Sequence, residues 1–444
     1  MNTNKTMDIV FKKSTEDEHG FVGIKIENGK TKIFFPYGYP IDELTNEEEK
    51  EQKKQIRYLM YSICESKIKT NIYSKSSDID GTDFLYDCIF LVEDYLNNGL
   101  YQERKKTESL NTNGRVNWKK TLTNQTPMIN FDNGKVCSVY FNNLYKNKTT
   151  KFDNIYTYLE IEALKIAKNV IGFLYPDFYI KNSGISNPED LIPRLKNKMI
   201  HTFNDREKRL FDSIINIIMD NKNNISPHSI RLGTTNYEVV WERMLRKVYG
   251  NADESRFFPK TTYVLKNKIS GKLETKIVSN MMPDLLFVSK DTKEYYVIDA
   301  KYYAYCENYH NVNSLPKSDS ISKQIIYQQK IEEQLISRNI YSEEEIKKYK
   351  PVKSMFILPY NKNIIQIDDY LPTSIFNLSF KGFGTIEAKG INNRLFKIGL
   401  AFKDTKDLII EYNEGRKYHY TNQYFELIEA YANYYNYVID NNNY

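Results

Sequence analysis

Apolar positions in this chain follow two rhythms, and the places where the rhythm changes mark its elements. Phe21–Ile26 and Lys32–Pro36 are short apolar runs on either side of Asn28-Gly29, the strongest short-range signal for a hairpin. A helix follows over 46–67, with its apolar stripe at Ile56, Leu59, Met60 and Ile63. A second helix covers 82–98, and Gly99 is placed to end it. Residues 101–130 show neither rhythm and read as an irregular polar stretch, whereas Lys135–Tyr140 reads as a strand. A long helix over 156–174 stops at Tyr175-Pro176, where proline removes a backbone donor. Residues 181–198 are turn-rich, carry Pro188 and Pro193, and form the best candidate boundary. Another helix, 204–221, has the stripe Leu210, Ile214, Ile217 and Ile218.

From Tyr237 the organisation changes. Tyr237–Tyr249 is an amphipathic helix closed by Gly250, followed by strand candidates at Thr261–Leu265 and Lys276–Val278. Leu285–Val288 and Tyr295–Ile298 are short β-branched or aromatic runs around a polar turn, hence adjacent strands of a hairpin. A helix over 320–338 and a buried-strand signature at Ser354–Leu358 come next, and an aromatic helix is expected over Tyr424–Ile439. Helix, strands, helix, strand is the order of an α/β (α+β) sandwich, a mixed central sheet flanked by helices. The expected division is an N-terminal α+β domain over 1–198, which reads DNA or docks a partner, and a second domain over 199–444.

Composition narrows the classes. With 41% hydrophobic and 27% charged residues the chain is an ordinary globular one. No apolar run reaches the roughly 18 residues a membrane span needs, and the polar N-terminus lacks the apolar core of a secretory signal. Four widely spaced cysteines without a C-x-x-C pair argue for a reducing, cytoplasmic setting and against a zinc site. The net charge of +6 is compatible with nucleic-acid binding and is weak evidence for it. In the irregular stretch, Arg104, Arg115, Lys119 and Lys120 gather around Trp118. That pattern suits a phosphate backbone, and equally a surface loop with one buried tryptophan.

The candidate chemistry sits in Met282–Lys301. Asp284 opens the first strand of the hairpin, while Asp299 and Lys301 close the second and leave the same strand face. Two carboxylates and an amine brought to one point are costly unless a hard divalent cation neutralises them. Asp284 and Asp299 would be ligands together with the Ala300 carbonyl, and Lys301 would orient or help deprotonate a water. Glu242, favoured over Glu238 one turn earlier, would add a third carboxylate, with Trp241 packing inward to fix its helix. Gln324 and Lys323 on the later helix would face the scissile phosphate. Glu238, Glu242, Lys323 and Gln324 also have an ordinary reading as helix-surface residues.

Pro283-Asp284 followed by Asp299-Ala300-Lys301 resembles the P-D…(D/E)-x-K nuclease superfamily. Gln324 and Tyr327 are similar to the Gln-x-x-x-Tyr motif of some members, one residue short. In patches over most of the chain, FVGIKIENGKTKIFFPYGYPI, EDYLNNGLYQ…GRVNWKKT, VWERMLRKVYG, MPDLLF…YVIDAKYY and SISKQIIYQ resemble the LlaJI-family restriction endonucleases, which are similar in turn to McrC, the nuclease subunit of McrBC systems. The resemblance implies a restriction endonuclease-like core, hydrolysis of double-stranded DNA with Mg²⁺ (Mn²⁺ as a substitute), and a separate AAA+ GTPase subunit. The chain itself has no G-x-x-x-x-G-K-[ST] sequence. Cutting two strands calls for two active sites, so self-association on DNA is a further expectation. A repair or transposition nuclease of the same fold and a non-catalytic DNA-binding subunit are the alternatives.

Overall fold

The computed structural model describes residues 9–17, 19–27, 30–68, 82–111, 113–224, 229–252, 256–258, 261–266, 272–278, 282–288, 293–306, 312–361, 380–389 and 394–415. The Asn28-Gly29 turn and the helix expected over Tyr424–Ile439 fall outside them. Two compact units result, Met1–Asp83 with Ser226–Tyr444, and Phe84–Ile225.

The first unit begins with β1 (Ile9–Lys13), β2 (Val22–Glu27), β3 (Lys30–Phe35), α1 (Ile41–Asn46) and α2 (Glu49–Ile68). The chain then builds the second unit from α3 (Thr82–Asn98), β4 (Glu103–Leu110), β5 (Arg115–Val116), α4 (Trp118–Asn124), β6 (Met128–Asp132), β7 (Lys135–Tyr140), β8 (Tyr145–Phe152), α5 (Ile155–Ile171), α6 (Ile192–Ile200) and α7 (Asp205–Asn224). It returns through β9 (Ser229–Thr234), α8 (Tyr237–Tyr249), β10 (Thr261–Lys266), β11 (Leu273–Val278), β12 (Leu285–Val288) and β13 (Tyr295–Ala300). It continues with α9 (Ser318–Ser337), α10 (Glu343–Tyr349), β14 (Val352–Tyr360), β15 (Phe380–Lys389), β16 (Leu395–Asp404) and α11 (Thr405–Asn413).

The return strand β9 decides the division. It pairs antiparallel with β2 from Val22↔Thr234 to Glu27↔Ser229, in a sheet ordered β1-β3-β2-β9. The N-terminal strands therefore belong with the second half of the chain, and the division does not fall at the expected residue 198. Nor is 181–198 a plain linker, since α6 starts inside it at Ile192.

The central sheet of the first unit is mixed, in the order β12-β13-β14-β16-β15. β13, β14 and β16 run parallel and the outer strands are antiparallel to their neighbours. Its inner strands carry apolar side chains on both faces, as a sheet covered on both sides requires. Leu286 and Val297 pack against Tyr327, Ile331 and Leu335 of α9. Phe356, Leu358, Ile398 and Phe402 form the adjoining core, with Ile321 and Ile325 of α9 against it. Trp241, fully buried, holds α8 to the sheet by donating from Nε1 to the Ile357 carbonyl at 3.4 Å. The helices α2, α8 and α11 pack on one another.

In the second unit, helices α5, α6 and α7 pack together. Asp87 of α3 accepts from Arg209, Ser213 and Asn216 of α7, and Asp94 takes a two-pronged contact from Arg206 at 2.6 Å per bond. Residues 101–130, expected to be irregular, instead contain β4, β5, α4 and the start of β6. β4, β8 and β5 make a three-stranded antiparallel sheet, while β6 and β7 form a separate hairpin exposed along its whole length. Trp118 is 56% exposed, so the buried tryptophan of the surface-loop reading is not found.

Candidate active site

The site forms where β12 and β13 meet β14. Leu285 pairs with Ile298, so Asp284, one residue earlier, lies across from Asp299. Asp284 Oδ2 accepts the Ala300 N–H at 2.6 Å, which ties the Pro283-Asp284 segment to the strand carrying Asp299. The end of that strand is held from its other side by β14, because the Lys301 N–H donates to the Ile357 carbonyl at 2.9 Å. Lys301 Nζ lies 2.5 Å from Asp299 Oδ2. Asp284, Asp299, Ala300 and Lys301 are thus brought together.

Electrostatics connects Glu242 and Tyr327 to the same point. Burial, then the charges of Asp299 and Glu242, raise the Asp284 carboxyl to about 8, against the Ala300 hydrogen bond and Lys301. Glu242 on α8 is raised as well, by burial and then by Asp299, with Lys301 and Arg246 opposing. For Lys301 burial favours the neutral form, but the charges of Asp299 and Asp284 and the Asp299 hydrogen bond outweigh it and hold the pKa above the ordinary lysine value. Tyr327 is pushed up to about 12 by burial, then by the charges of Asp299 and Asp284. The share of the Asp284 and Glu242 elevation that neighbouring carboxylate charge supplies is repulsion, and added positive charge would relieve it.

Gln324 is fully buried on α9; its Nε2 donates to the Met355 carbonyl of β14 at 3.2 Å. Its Oε1 has no hydrogen-bond partner, an orphaned acceptor one turn from Tyr327. Lys323 and Glu238 are exposed. Asp284, Asp299 and Glu242 are the hard oxygen donors that a Mg²⁺-like cation takes, and in this respect the residues fit one. Two of the donor oxygens are engaged within the protein, by Ala300 N–H and by Lys301. Among the described residues no three His, Cys, Asp or Glu side chains stand close enough together to hold a metal.

Two supports of the site were not foreseen from the sequence. Arg246, one helical turn after Glu242, donates from Nε to the Asp284 carbonyl and from Nη2 to the Pro283 carbonyl. Its (i, i+4) spacing from Glu242 was the available signal. Tyr302, next to Lys301, accepts the Tyr37 N–H at 2.9 Å and stacks on the Tyr37 ring at 4.6 Å. Nothing local announces that pair, which spans 265 positions.

The remaining candidates, Arg104, Arg115, Trp118, Lys119 and Lys120, all lie in the second unit. Arg104 and Arg115 stand on the two strands flanking β8. Lys120 is paired with Glu108 and lies over the Tyr145 ring.

Comparison with known proteins gives three findings. The LlaJI restriction endonuclease family matches residues 21–377. The Type II restriction enzyme BsuMI component YdjA of Bacillus subtilis is 24% identical over 248 residues, 53% of this chain, and the match spans 51% of that relative, about half its length. A chain in the solved assembly of Thermococcus gammatolerans McrB AAA+ hexamers with bound McrC is 12% identical over 89% of this chain and 81% of its own, at a TM-score of 0.32.

Proposed function

The chain belongs to the LlaJI restriction endonuclease family, and from that premise we propose that it is the nuclease of a restriction system, hydrolysing double-stranded DNA with Mg²⁺ at the ends of β12 and β13. The carrying observation is the meeting of Asp284, Asp299 and Lys301 at one point, with the Glu242 charge in range. This arrangement supports reading the five-stranded mixed sheet as a P-D…D-x-K nuclease core.

Asp284, Asp299 and the Ala300 carbonyl would hold the cation, and Glu242, whose charge reaches Asp284, would have to move closer to join them. When bound, a divalent ion would supply an acidified water and neutralise charge on the scissile phosphate. Lys301 turns from its pair with Asp299 to orient the attacking water and stabilise the anionic transition state. Its raised pKa keeps it cationic, which suits charge stabilisation better than general-base work. Asp284, raised to about 8, would have to lose its proton to serve as a ligand. Gln324 Oε1 accepts a hydrogen bond from the water network beside the phosphate, and the Tyr327 phenol remains a donor. Lys323, exposed on the same helix, contacts the flanking backbone.

A separate AAA+ GTPase subunit and self-association on DNA complete the reading. The test is cleavage of supercoiled plasmid as a function of Mg²⁺, with the GTPase supplied. Asp284→Asn should raise the Mg²⁺ needed for half-maximal cleavage by about tenfold or more. DNA that is bound but uncut by the wild-type chain at every Mg²⁺ and Mn²⁺ concentration would favour the non-catalytic alternative.

A further inference from the structure

The net charge of the chain is not spread evenly. Between Glu103 and Phe152 there are ten Lys and Arg against three Asp and Glu, a net +7 on a chain whose total is +6. The rest of the molecule is close to neutral. The fold then sorts this charge between the two faces of one sheet, with Lys105, Lys146 and Lys148 on one and the larger group on the other. β4 and β8 pair antiparallel with Arg104 directly opposite Lys151 and Lys106 opposite Thr149, and β5 adds Arg115 opposite Asn147. Side chains of directly opposed residues leave the same face, so Arg104, Lys106, Arg115 and Lys151 share one face of the sheet. All four are exposed. The same face carries Glu108, which is taken up by Lys120, while Glu103 on the other face is paired with Lys198. Among the described residues none of the four cations has an ion-pair partner. Trp118, 56% exposed, begins the helix that carries Lys120 to this face.

Arg104 facing Lys151 is the telling pair. Like charges directly opposite each other across an antiparallel pair destabilise the sheet. A sheet that holds two cations in register, with a third on the diagonal and its acids already paired, is an incomplete electrostatic structure. A polyanion completes it. We propose that the face of the β4–β8–β5 sheet bearing Arg104, Lys106, Arg115 and Lys151 is a sequence-independent docking surface for the phosphate backbone of duplex DNA. This rests on the nuclease reading only in taking DNA as the ligand. It adds a surface lying in the unit that lacks the carboxylate cluster, and one to which Lys151 of β8 contributes beside the 104–120 stretch. Phosphate contacts by lysine and arginine fix position without reading sequence, so the surface holds DNA and leaves specificity to other parts of the system.

The experiment measures binding of the full chain to a fluorescein-labelled duplex by anisotropy in EDTA, so that cleavage plays no part, across a series of salt concentrations. Each phosphate contact contributes about 0.9 to the slope of log K against log salt. Lys106→Gln/Lys151→Gln should lower that slope by about 2, whereas the charge-matched Lys347→Gln/Lys348→Gln on α10 should leave it unchanged. Lys151→Gln alone should leave Tm unchanged or raised, because it relieves the repulsion with Arg104; a merely structural lysine would lower Tm on removal. Equal slopes for the two double variants, or absence of duplex binding by the wild-type chain at about 50 mM salt, would overturn the proposal and leave this face to a protein partner. Loss of cleavage in Asp299→Ala with duplex binding retained would uphold the active site independently. Unimpaired cleavage in that variant would sink the active site without touching this surface.

Discussion

Arg246 shows how much of the site depends on a single side chain away from the chemistry. Its guanidinium grips the carbonyls of Pro283 and Asp284, and its charge also stabilises the ionised form of Glu242. Arg246→Gln should cost about 1 kcal/mol in urea unfolding, since the residue is largely exposed. Cleavage should fall about 100-fold, because a ligand displaced by about an ångström loses its alignment. Equal cleavage by variant and wild type would show that the clamp serves the fold alone. In the second unit, Glu160 is fully buried, accepts the Tyr101 N–H at 2.6 Å, and is raised by burial to about 8. The folded state therefore keeps a proton that the unfolded state releases at ordinary carboxylate pH. Stability from this group is complete below about pH 4.5 and is lost as pH rises through about 8. Urea unfolding at pH 6 and pH 8.5 should show the wild type weakening over that interval. Glu160→Gln, which keeps the acceptor, should flatten the decline.

At the scale of elements, α8 and the turn before α1 are the points where small changes reach furthest. Trp241→Ala removes a fully buried ring and its bond to Ile357, and should cost about 3–5 kcal/mol by denaturant unfolding. Gly38 has φ +71°, and a Cβ there would lie 2.6 Å from the Tyr360 backbone, so Gly38→Ala should lower Tm clearly while an exposed alanine substitution such as Lys347→Ala should not. Elements with one strong rhythm were legible in the sequence. Tyr237–Tyr249, Thr82–Asn98 and Lys135–Tyr140 match their observed bounds, and the hairpin of β12 and β13 was expected within two residues. β4 (ERKKTESL) and β8 (YKNKTTKF) were not legible, because their faces are both polar and the alternation that marks a half-buried strand is missing. Their pairing is a tertiary fact. The same holds for Arg246 and Tyr302, whose partners lie 38 and 265 positions away. By contrast, strand parity puts Asp299 and Lys301 on one face, and the hairpin pairing brings Asp284 across from Asp299.

For the molecule as a whole, the discontinuous first unit is the main departure from a reading made in chain order. Strand β9 draws the N-terminal strands into the unit that holds the carboxylates, and Tyr37 braces the residue after Lys301. What looked like an N-terminal domain is therefore partly support for the candidate site, and the second unit is an insertion with its own helical core. Among the described residues no helix is long and apolar enough to cross a membrane. Phosphodiester hydrolysis by Asp299 and Lys301 with a divalent ion is the proposal on which the rest depends. It is tested by the rate of plasmid cleavage by wild type, Asp299→Ala and Lys301→Ala, with Mg²⁺ and the proposed GTPase subunit supplied and circular dichroism confirming that each variant is folded. Cleavage by the wild type and a loss of at least about 1000-fold in each variant are expected. Folded variants that cut DNA at the wild-type rate would contradict it.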